Sequence, residues 1–366
     1  MKVAIVLPAY AADGINLLGG GERYALQLAR SLRRHADIVL VTYGPRPAVR
    51  DLDGLRHVVL RAIAPSVENP LPLTTFFRRE RFDLIHAFQL RSASTSLLAL
   101  LCRARRIPLV VTDVGGGGRS LIFRLRLYRL IPAFICISDF SRQLIPAEVR
   151  SRATVVHGGI DLERYSYHPG PRRRQALLVA RIIPHKGIDT LVAAAGQDID
   201  VVVAGQVADA RYLEDLQAQA IGSRVRFLLG PPDEELLQQY RDSGVTVSAS
   251  VYRDMYGRRW PQSELLGLTL LESMAVGTPV ICTRVGGMPE YVVDAVTGFI
   301  VPPNDPAAMR DRLLRLLDDA SLTSRMGDAG RQHIEALSWP AVADAVAANY
   351  ERIVAGPYLA PARTDR

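Results

Sequence analysis

The chain has 366 residues, 48% hydrophobic and 22% charged, with 28 Gly and 23 Pro. That mixture excludes a wholly disordered or collagen-like polymer, and the length suits two domains at roughly 100–200 residues each. The formal charge of +8 is uneven: residues 1–165 carry 24 Lys+Arg against 13 Asp+Glu, whereas residues 166–366 carry 21 against 24. A basic half suits an anionic partner: nucleic acid, lipid headgroups or a phosphorylated substrate. Cys102, Cys136 and Cys282 are far apart, odd in number and free of metal-ligand spacing. They read as reduced structural thiols of a cytosolic protein. No apolar run reaches the ~20 residues of a membrane helix. Lys2 and the apolar stretch to Ala12, interrupted by Pro8, read as a first buried strand rather than a signal peptide.

In chain order, Val/Ile/Leu-rich runs predict strands over 2–8, 37–43, 55–60, 82–87, 108–114, 133–138 and 153–157, then over 176–181, 199–205, 224–229, 244–249, 278–283 and 298–301. Helical patterns lie between several of them, for example at 21–34, 187–195 and 265–276. Continuous apolar runs suit parallel strands buried on both faces, and strand–helix alternation predicts an α/β fold of doubly wound sheets. The alternation pauses at 166–174, where two prolines, a glycine and three arginines predict a linker. In open α/β sheets ligands sit beyond the carboxyl ends of strands, so motifs there carry most weight.

The densest such motif spans 263–290. It predicts a loop, a helix starting near Gly267, a glycine stop at Gly277, a strand and a Gly286-Gly287 turn. The free N–H groups at the start of that helix suit a phosphate. Glu264, just before it, suits hydroxyls beside the phosphate, and Glu272, further in, suits a diol such as ribose. A buried amphipathic helix with a dipole-favoured acidic residue explains the same spacing. Gly19-Gly20-Gly21 follows the first strand and opens a helix, so it permits either close approach of a phosphate or a flexible turn with a cap. The run Gly115–Gly118 offers no dinucleotide fingerprint, since Ser120 stands where the third glycine would be. Asp51-Leu52-Asp53 has the spelling of a metal-holding pair but reads as a turn in a polar stretch.

Glu264-x7-Glu272 with Gly277-Thr278-Pro279-Val280 and Gly286-Gly287-Met288-Pro289-Glu290 resembles the retaining glycosyltransferases of family 4, two-domain GT-B enzymes that use nucleotide-sugar donors. Further segments match in family order: Gly19–Glu22, His157–Asp161, Val179–Gly187, Gly298–Pro303 and Ser338-Trp339. The resemblance implies two Rossmann-like domains facing across a cleft. Residues 1–168 would hold the acceptor and 169–339 the donor. Helix 341–355 would cross back onto the first domain, and 356–366 would form a tail. It implies that Glu264, Arg181 and Lys186 are catalytic, with Arg181 and Lys186 gripping the donor diphosphate and Glu264 holding the sugar. Gly20, Gly21, Gly267, Leu268, Thr269 and Glu272 would bind the donor, with Glu272 on the ribose. Lys186 is one of only two lysines in an arginine-dominated chain, which fits a site that wants a compact point charge.

The chain departs from the family in three places. Many members carry a His after the fifth strand where this chain has Val110–Gly115, so Asp113 either takes that place or the role is absent. The family's His-x-His stands here as His86-Ala87-Phe88, and His86 is either on the acceptor side or a core histidine. The usual Pro-Phe after the first glutamate is Leu265-Leu266, which keeps the apolar character.

The resemblance implies transfer of a hexosyl group, with retention, from a nucleotide sugar, with UDP or GDP as the nucleotide, to a hydroxyl of a glycan, a lipid-linked acceptor or a small molecule. It implies polysaccharide or glycolipid biosynthesis. No positioned carboxylate stands out as a nucleophile, so a same-face displacement is expected. No cofactor is implied, and no metal is required where Arg181, Lys186 and a helix N-terminus neutralise the diphosphate. A weakly catalytic nucleotide-sugar-binding protein and an epimerase of the same architecture are the alternatives. A phosphorylase would need a lysine for its cofactor, and only Lys186 is available. Arg119, Arg126 and Arg129 share one arc of a helix drawn over 119–131, with Leu121, Ile122, Leu125 and Leu127 filling much of the rest. That pattern suits either an ordinary surface helix or one lying on an anionic membrane. A cytoplasmic protein, peripheral at the inner membrane face and without a nucleic-acid partner, is therefore expected.

Overall fold

The computed structural model describes residues 1–10, 20–64, 69–115 and 121–356. Gly19, Gly116–Gly118, Arg119 and most of the expected tail lie outside the described residues. The chain divides into two compact units, Met1–Gly159 with the chain from Trp339 onward, and Ile160–Ser338.

Unit 1 is built on strands β1 (Lys2–Tyr10), β2 (Asp37–Gly44), β3 (Ala48–Leu52), β4 (Leu55–Arg61), β5 (Leu84–Phe88), β6 (Leu109–Thr112), β7 (Ala133–Cys136) and β8 (Ala153–Val155). Their order is β3-β4-β2-β1-β5-β6-β7-β8, and only β3 runs antiparallel to its neighbour. Unit 2 has β9 (Arg173–Val179), β10 (Asp200–Gly205), β11 (Val225–Leu229), β12 (Ser243–Ser248), β13 (Val280–Thr283) and β14 (Gly298–Val301). They are all parallel, in the order β11-β10-β9-β12-β13-β14. Both orders step outward from the first strand and then reverse, the doubly wound pattern of Rossmann-like sheets. The apolar runs explain the parallel pairing: Val3–Leu7 and Val201–Ala204 are buried on both faces. In unit 2 the core gathers Leu178, Val203, Val245, Val247 and Ile281 from the sheet with Leu191, Met309 and Leu313 from covering helices.

Four expectations need correction. The division falls at Gly159/Ile160 rather than 168/169. The intervening segment is bound into unit 2: the Ile160 N–H donates to Leu337 O at 3.1 Å, Arg164 pairs with Asp233 at 2.7 Å, and the His168 N–H donates to Val276 O at 3.1 Å. Nor is 166–174 a free linker, because the Arg172 guanidinium donates to the carbonyls of Arg241 at 2.6 Å and Val276 at 2.9 Å. The last helix begins at Trp339 rather than 341 and belongs to unit 1, where Trp339 meets the Tyr24 ring edge-on at 5.0 Å and Asp344 pairs with His35 at 2.8 Å.

The fourth correction removes the basic amphipathic helix. A single helical turn, Leu121–Arg124, is broken by Arg126 in the left-handed region at φ +51°, and a 3-10 turn follows over Leu127–Leu130. Arg126 and Arg129 therefore share no helix face. Arg129 is bound to Glu148 at 2.8 Å. Hydrogen bonds from Arg129 and Tyr128 hold the Glu148 carboxyl down to about 2. β3 was not foreseen, since its polar, half-exposed residues pair at a sheet edge. Asp51-Leu52-Asp53 leads into the turn of the β3–β4 hairpin. Asp51 accepts from the Gly54 N–H at 2.7 Å, and Asp53 pairs with Arg30 at 2.8 Å.

Candidate donor site in unit 2

The strand order of unit 2 reverses between β9 and β12, which makes a crevice at their carboxyl ends the natural ligand position. The segment after β9 carries Arg181 and Lys186. It closes in a 3-10 turn, Pro184–Lys186, and Gly187 follows at φ +61°. A Cβ on Gly187 would lie 2.1 Å from the Ala249 carbonyl oxygen, so only glycine lets this turn lie against the chain leaving β12. Glu264 is fixed from the other side. Its carbonyl accepts from the Gly287 N–H at 3.1 Å, and a Cβ on Gly286, at φ +60°, would lie 1.7 Å from that same oxygen.

These constraints bring Lys186 and Glu264 together, Nζ to Oε2 at 2.5 Å, with 18% and 17% of the side chains exposed. The Ser250 hydroxyl donates to the same Oε2 at 3.2 Å. Oε1 has no hydrogen-bond partner among the described residues. Arg181 is exposed and has neither hydrogen bond nor ion pair among the described residues. His185 packs against Trp260 at 4.6 Å between ring centres, and its Nδ1 is buried with no hydrogen-bond partner among the described residues. Burial, reinforced by the Lys186 charge, pushes the imidazole down to about 4, so it stays neutral beside the ion pair.

The helix expected near Gly267 runs Leu268–Ala275. Gly267 is its N-cap at φ +100° and offers no side-chain cap. The Leu270 N–H already returns to Gly267 O at 3.0 Å. The N–H groups of half-buried Leu268 and Thr269 therefore form the open end of the helix dipole. Glu272, on the second turn, takes the Tyr165 hydroxyl on Oε1 at 2.9 Å and the Tyr240 hydroxyl on Oε2 at 2.6 Å.

The remaining expected residues belong to unit 1. Gly20 and Gly21 open the helix Gly20–Leu32, and a Cβ on Gly21 would lie 2.8 Å from Val114 Cγ2, so close packing on the segment after β6 requires glycine there. Asp113 stands in that segment. Burial raises its carboxyl above the ordinary range against hydrogen bonds from the Gly115 and Leu90 backbones and the Arg91 charge. His86 is corrected to a core residue. It is fully buried, with Nδ1 on Tyr350 Oη at 2.6 Å and Nε2 on Thr112 Oγ1 at 2.8 Å, and burial pushes it down to about 3. With both nitrogens engaged it has no capacity for an acceptor. The three cysteines are free and buried, each thiol pushed up to about 12 chiefly by burial.

Sequence reasoning missed Ser250, Trp260, Tyr165 and Tyr240 as neighbours of the site. His185 lay inside the quoted segment without a role. The others come from distant stretches that spacing does not relate.

Comparison with known proteins identifies the family. The family model described as "Glycosyl transferases group 1" matches residues 162–333, and that described as "Glycosyltransferase Family 4" matches residues 18–164. A D-inositol 3-phosphate glycosyltransferase of Corynebacterium diphtheriae is 33% identical, over 91% of this chain and 89% of its own length. The protein of the same description from Streptomyces avermitilis is 32% identical, over 55% of this chain and 47% of its own. Among solved structures, sucrose-phosphate synthase from Thermosynechococcus elongatus superposes with a TM-score of 0.76 at 22% identity, covering 96% of this chain and 98% of that one. Anabaena HepE in complex with UDP gives 0.75 at 18% identity, covering 96% and 100%. The two structural likenesses speak for the fold.

Proposed function

The chain belongs to glycosyltransferase family 4 and is a glycosyltransferase of GT-B type; from that premise we propose that it moves a hexosyl group, with retention and without a metal, from a nucleoside-diphosphate sugar to a hydroxyl acceptor. The observation that carries this reading is the Lys186–Glu264 contact at the carboxyl ends of β9 and β12, beside an uncapped helix start. A cation and a carboxylate there have complementary uses. The donor diphosphate replaces Glu264 as the partner of Lys186, with Arg181 and the N–H groups of Leu268 and Thr269 completing its cradle. Glu264 is released to accept from sugar hydroxyls, and Glu272 accepts from the ribose.

The reaction breaks the bond between the anomeric carbon and the diphosphate oxygen. The acceptor oxygen bonds to the same face of that carbon, and its proton passes to the departing phosphate. Negative charge grows on the leaving group, which is where fixed cations and helix N–H groups act. Those groups take the neutralising place a divalent ion would otherwise fill, and UDP or GDP is the nucleotide. The acceptor, a glycan, lipid-linked or small-molecule hydroxyl, is bound by the basic unit 1, with Asp113 as the acceptor-side candidate. The excess of basic residues in 1–165 supports an anionic acceptor or an anionic membrane surface. A cytoplasmic protein, peripheral to the inner membrane face, is part of the reading proposed; among the described residues no helix is long and apolar enough to cross a membrane.

Incubation with UDP- and GDP-sugars in EDTA tests the reading. Slow acceptor-independent release of the nucleoside diphosphate is expected, with the first-formed sugar anomer keeping the donor's configuration by NMR. A protein that neither binds nor cleaves any nucleotide sugar contradicts it.

A further inference from the structure

The chain between Ser250 and Glu264 folds into a hairpin beside the Lys186–Glu264 contact. The Trp260 N–H donates to Tyr252 O at 2.8 Å, and the Asp254 N–H donates to Arg258 O at 3.0 Å. The base of the hairpin touches both sides of the contact. The Trp260 ring packs on His185, the neighbour of Lys186, at 4.6 Å. The Tyr252 hydroxyl accepts from the N–H of Gly286, which lies against the Glu264 carbonyl, at 2.8 Å. Asp254, 4% exposed, fixes the tip: Oδ1 accepts from the N–H groups of Tyr256 at 3.0 Å and Arg258 at 2.9 Å, and Oδ2 from the Trp260 indole at 2.8 Å.

Arg253 and Arg259 stand directly opposite each other across this hairpin, paired as an antiparallel bridge. Opposed residues of such a pair put their side chains on one face, with Cβ atoms about 4.5–5.5 Å apart, and like charges placed there repel. Both arginines are exposed, and neither side chain has a hydrogen bond or ion pair among the described residues. Asp254 is the one acid in 252–260, and its oxygens are turned to three N–H donors of the hairpin itself. The fold thus holds two guanidinium groups side by side with no acid between them, in the half of the chain that is otherwise slightly acidic. An oxyanion relieves that repulsion, and guanidinium forks match a carboxylate or a phosphate through paired N–H···O bonds.

We propose that Arg253 and Arg259 form an oxyanion clamp that selects a substrate sugar carrying a carboxylate or a phosphate. The proposal rests on the donor reading, which puts a sugar against Glu264 at the foot of the hairpin. The charge has two sources, an acidic group on the transferred sugar or one on the sugar that accepts it.

Calorimetric titration separates the two. In the donor arm UDP-glucuronate is set against UDP-glucose, and GDP-mannuronate against GDP-mannose. In the acceptor arm glucuronate and glucose 6-phosphate are set against glucose, with UDP or GDP present. In one arm the anionic member is expected to bind about fivefold to tenfold more tightly than its neutral partner at low salt, and the gap should close toward about 1 M salt. Arg253→Gln and Arg259→Gln should each cut that preference to about twofold or less. Without ligand the double variant should melt no lower than wild type, because a repulsive pair has gone. A lower melting temperature would mark the arginines as structural and overturn the inference. Equal binding of anionic and neutral sugars by wild type in both arms would overturn it too. So would a loss for UDP-glucose as large as that for UDP-glucuronate in the variants, the mark of general attraction for the diphosphate. Arginine-dependent sedimentation with phosphatidylglycerol vesicles, with no sugar preference, would assign the hairpin to a lipid surface instead. If neither UDP, GDP nor any of these nucleotide sugars binds wild type, the donor reading itself falls, and this inference with it.

Discussion

Unit 2 and unit 1 share a strand order that reverses beside the first strand, yet their polar centres differ. Where β9 and β12 end, Lys186 and Glu264 meet with part of each side chain still exposed, and one Glu264 oxygen has no hydrogen-bond partner among the described residues. In unit 1 the comparable polar group, His86 on β5, is sealed between Tyr350 and Thr112 and held neutral. On the function proposed, the first arrangement exchanges its partner for a ligand, whereas the second has both ring nitrogens already engaged. The fold supplies a crevice, and function depends on groups with bonds left to make. Charge divides the same way: residues 1–165 carry the basic excess, and 166–366 are slightly acidic.

The sharpest way to break this contrast is to remove the exchangeable carboxylate. Glu264→Gln should lower kcat/KM at least about a hundredfold, roughly 2.7 kcal/mol, while circular dichroism and melting stay near wild type. Wild-type turnover in that variant would place the chemistry elsewhere. Next in size, Lys186→Ala should weaken nucleoside-diphosphate binding by about 1.5–3 kcal/mol, the range for a charged hydrogen bond. Lys186→Arg should restore only part, because a planar fork replaces a point charge. Equal calorimetric affinity in all three proteins would take Lys186 out of the site.

The sealed side of the contrast is read by acid. His57 and His86 in unit 1 and His185 in unit 2 are pushed down from 6.5 to about 4, about 3 and about 4. Below pH 6.5 the unfolded chain binds protons that the folded one refuses, so stability is full above 6.5 and falls as the pH drops toward those values. The slope is about 1.4 kcal/mol per pH unit for each histidine, or about 2 kcal/mol each by pH 5. His86→Asn should flatten the loss measured by denaturant titration at pH 7 and pH 5. An unchanged difference would mean His86 is protonated in the folded state. The smallest effect belongs to the basic surface. Replacing Arg124 and Arg126 by Gln should lower low-salt binding to anionic vesicles by at most about 1 kcal/mol per residue, with donor affinity unaltered. Equal sedimentation with neutral vesicles would reduce that surface to a solubilising one.

Most strands were legible because parallel strands buried on both faces are written as uninterrupted Val/Ile/Leu runs. β3 was not, since an edge strand of polar residues carries no such run. Lys186 and Glu264 stood out in the sequence through the family resemblance and the scarcity of lysine, and the structure adds that the glycines around them, Gly187, Gly267 and Gly286, take backbone angles that other residues resist. Their mutual contact was not legible, because nothing in the spacing relates residue 186 to residue 264. The helix drawn through Arg126 failed for a local reason, a left-handed residue that breaks an otherwise amphipathic run. His86 required the tertiary structure, since its two partners lie 264 and 26 residues away.

The most direct test of the partner exchange is a crystal structure with an intact nucleotide sugar bound. The account predicts that Lys186 Nζ has left Glu264 and lies about 2.8 Å from a diphosphate oxygen, while Glu264 accepts from the sugar hydroxyls. A nucleotide sugar bound elsewhere, with the Lys186–Glu264 contact intact, would contradict it.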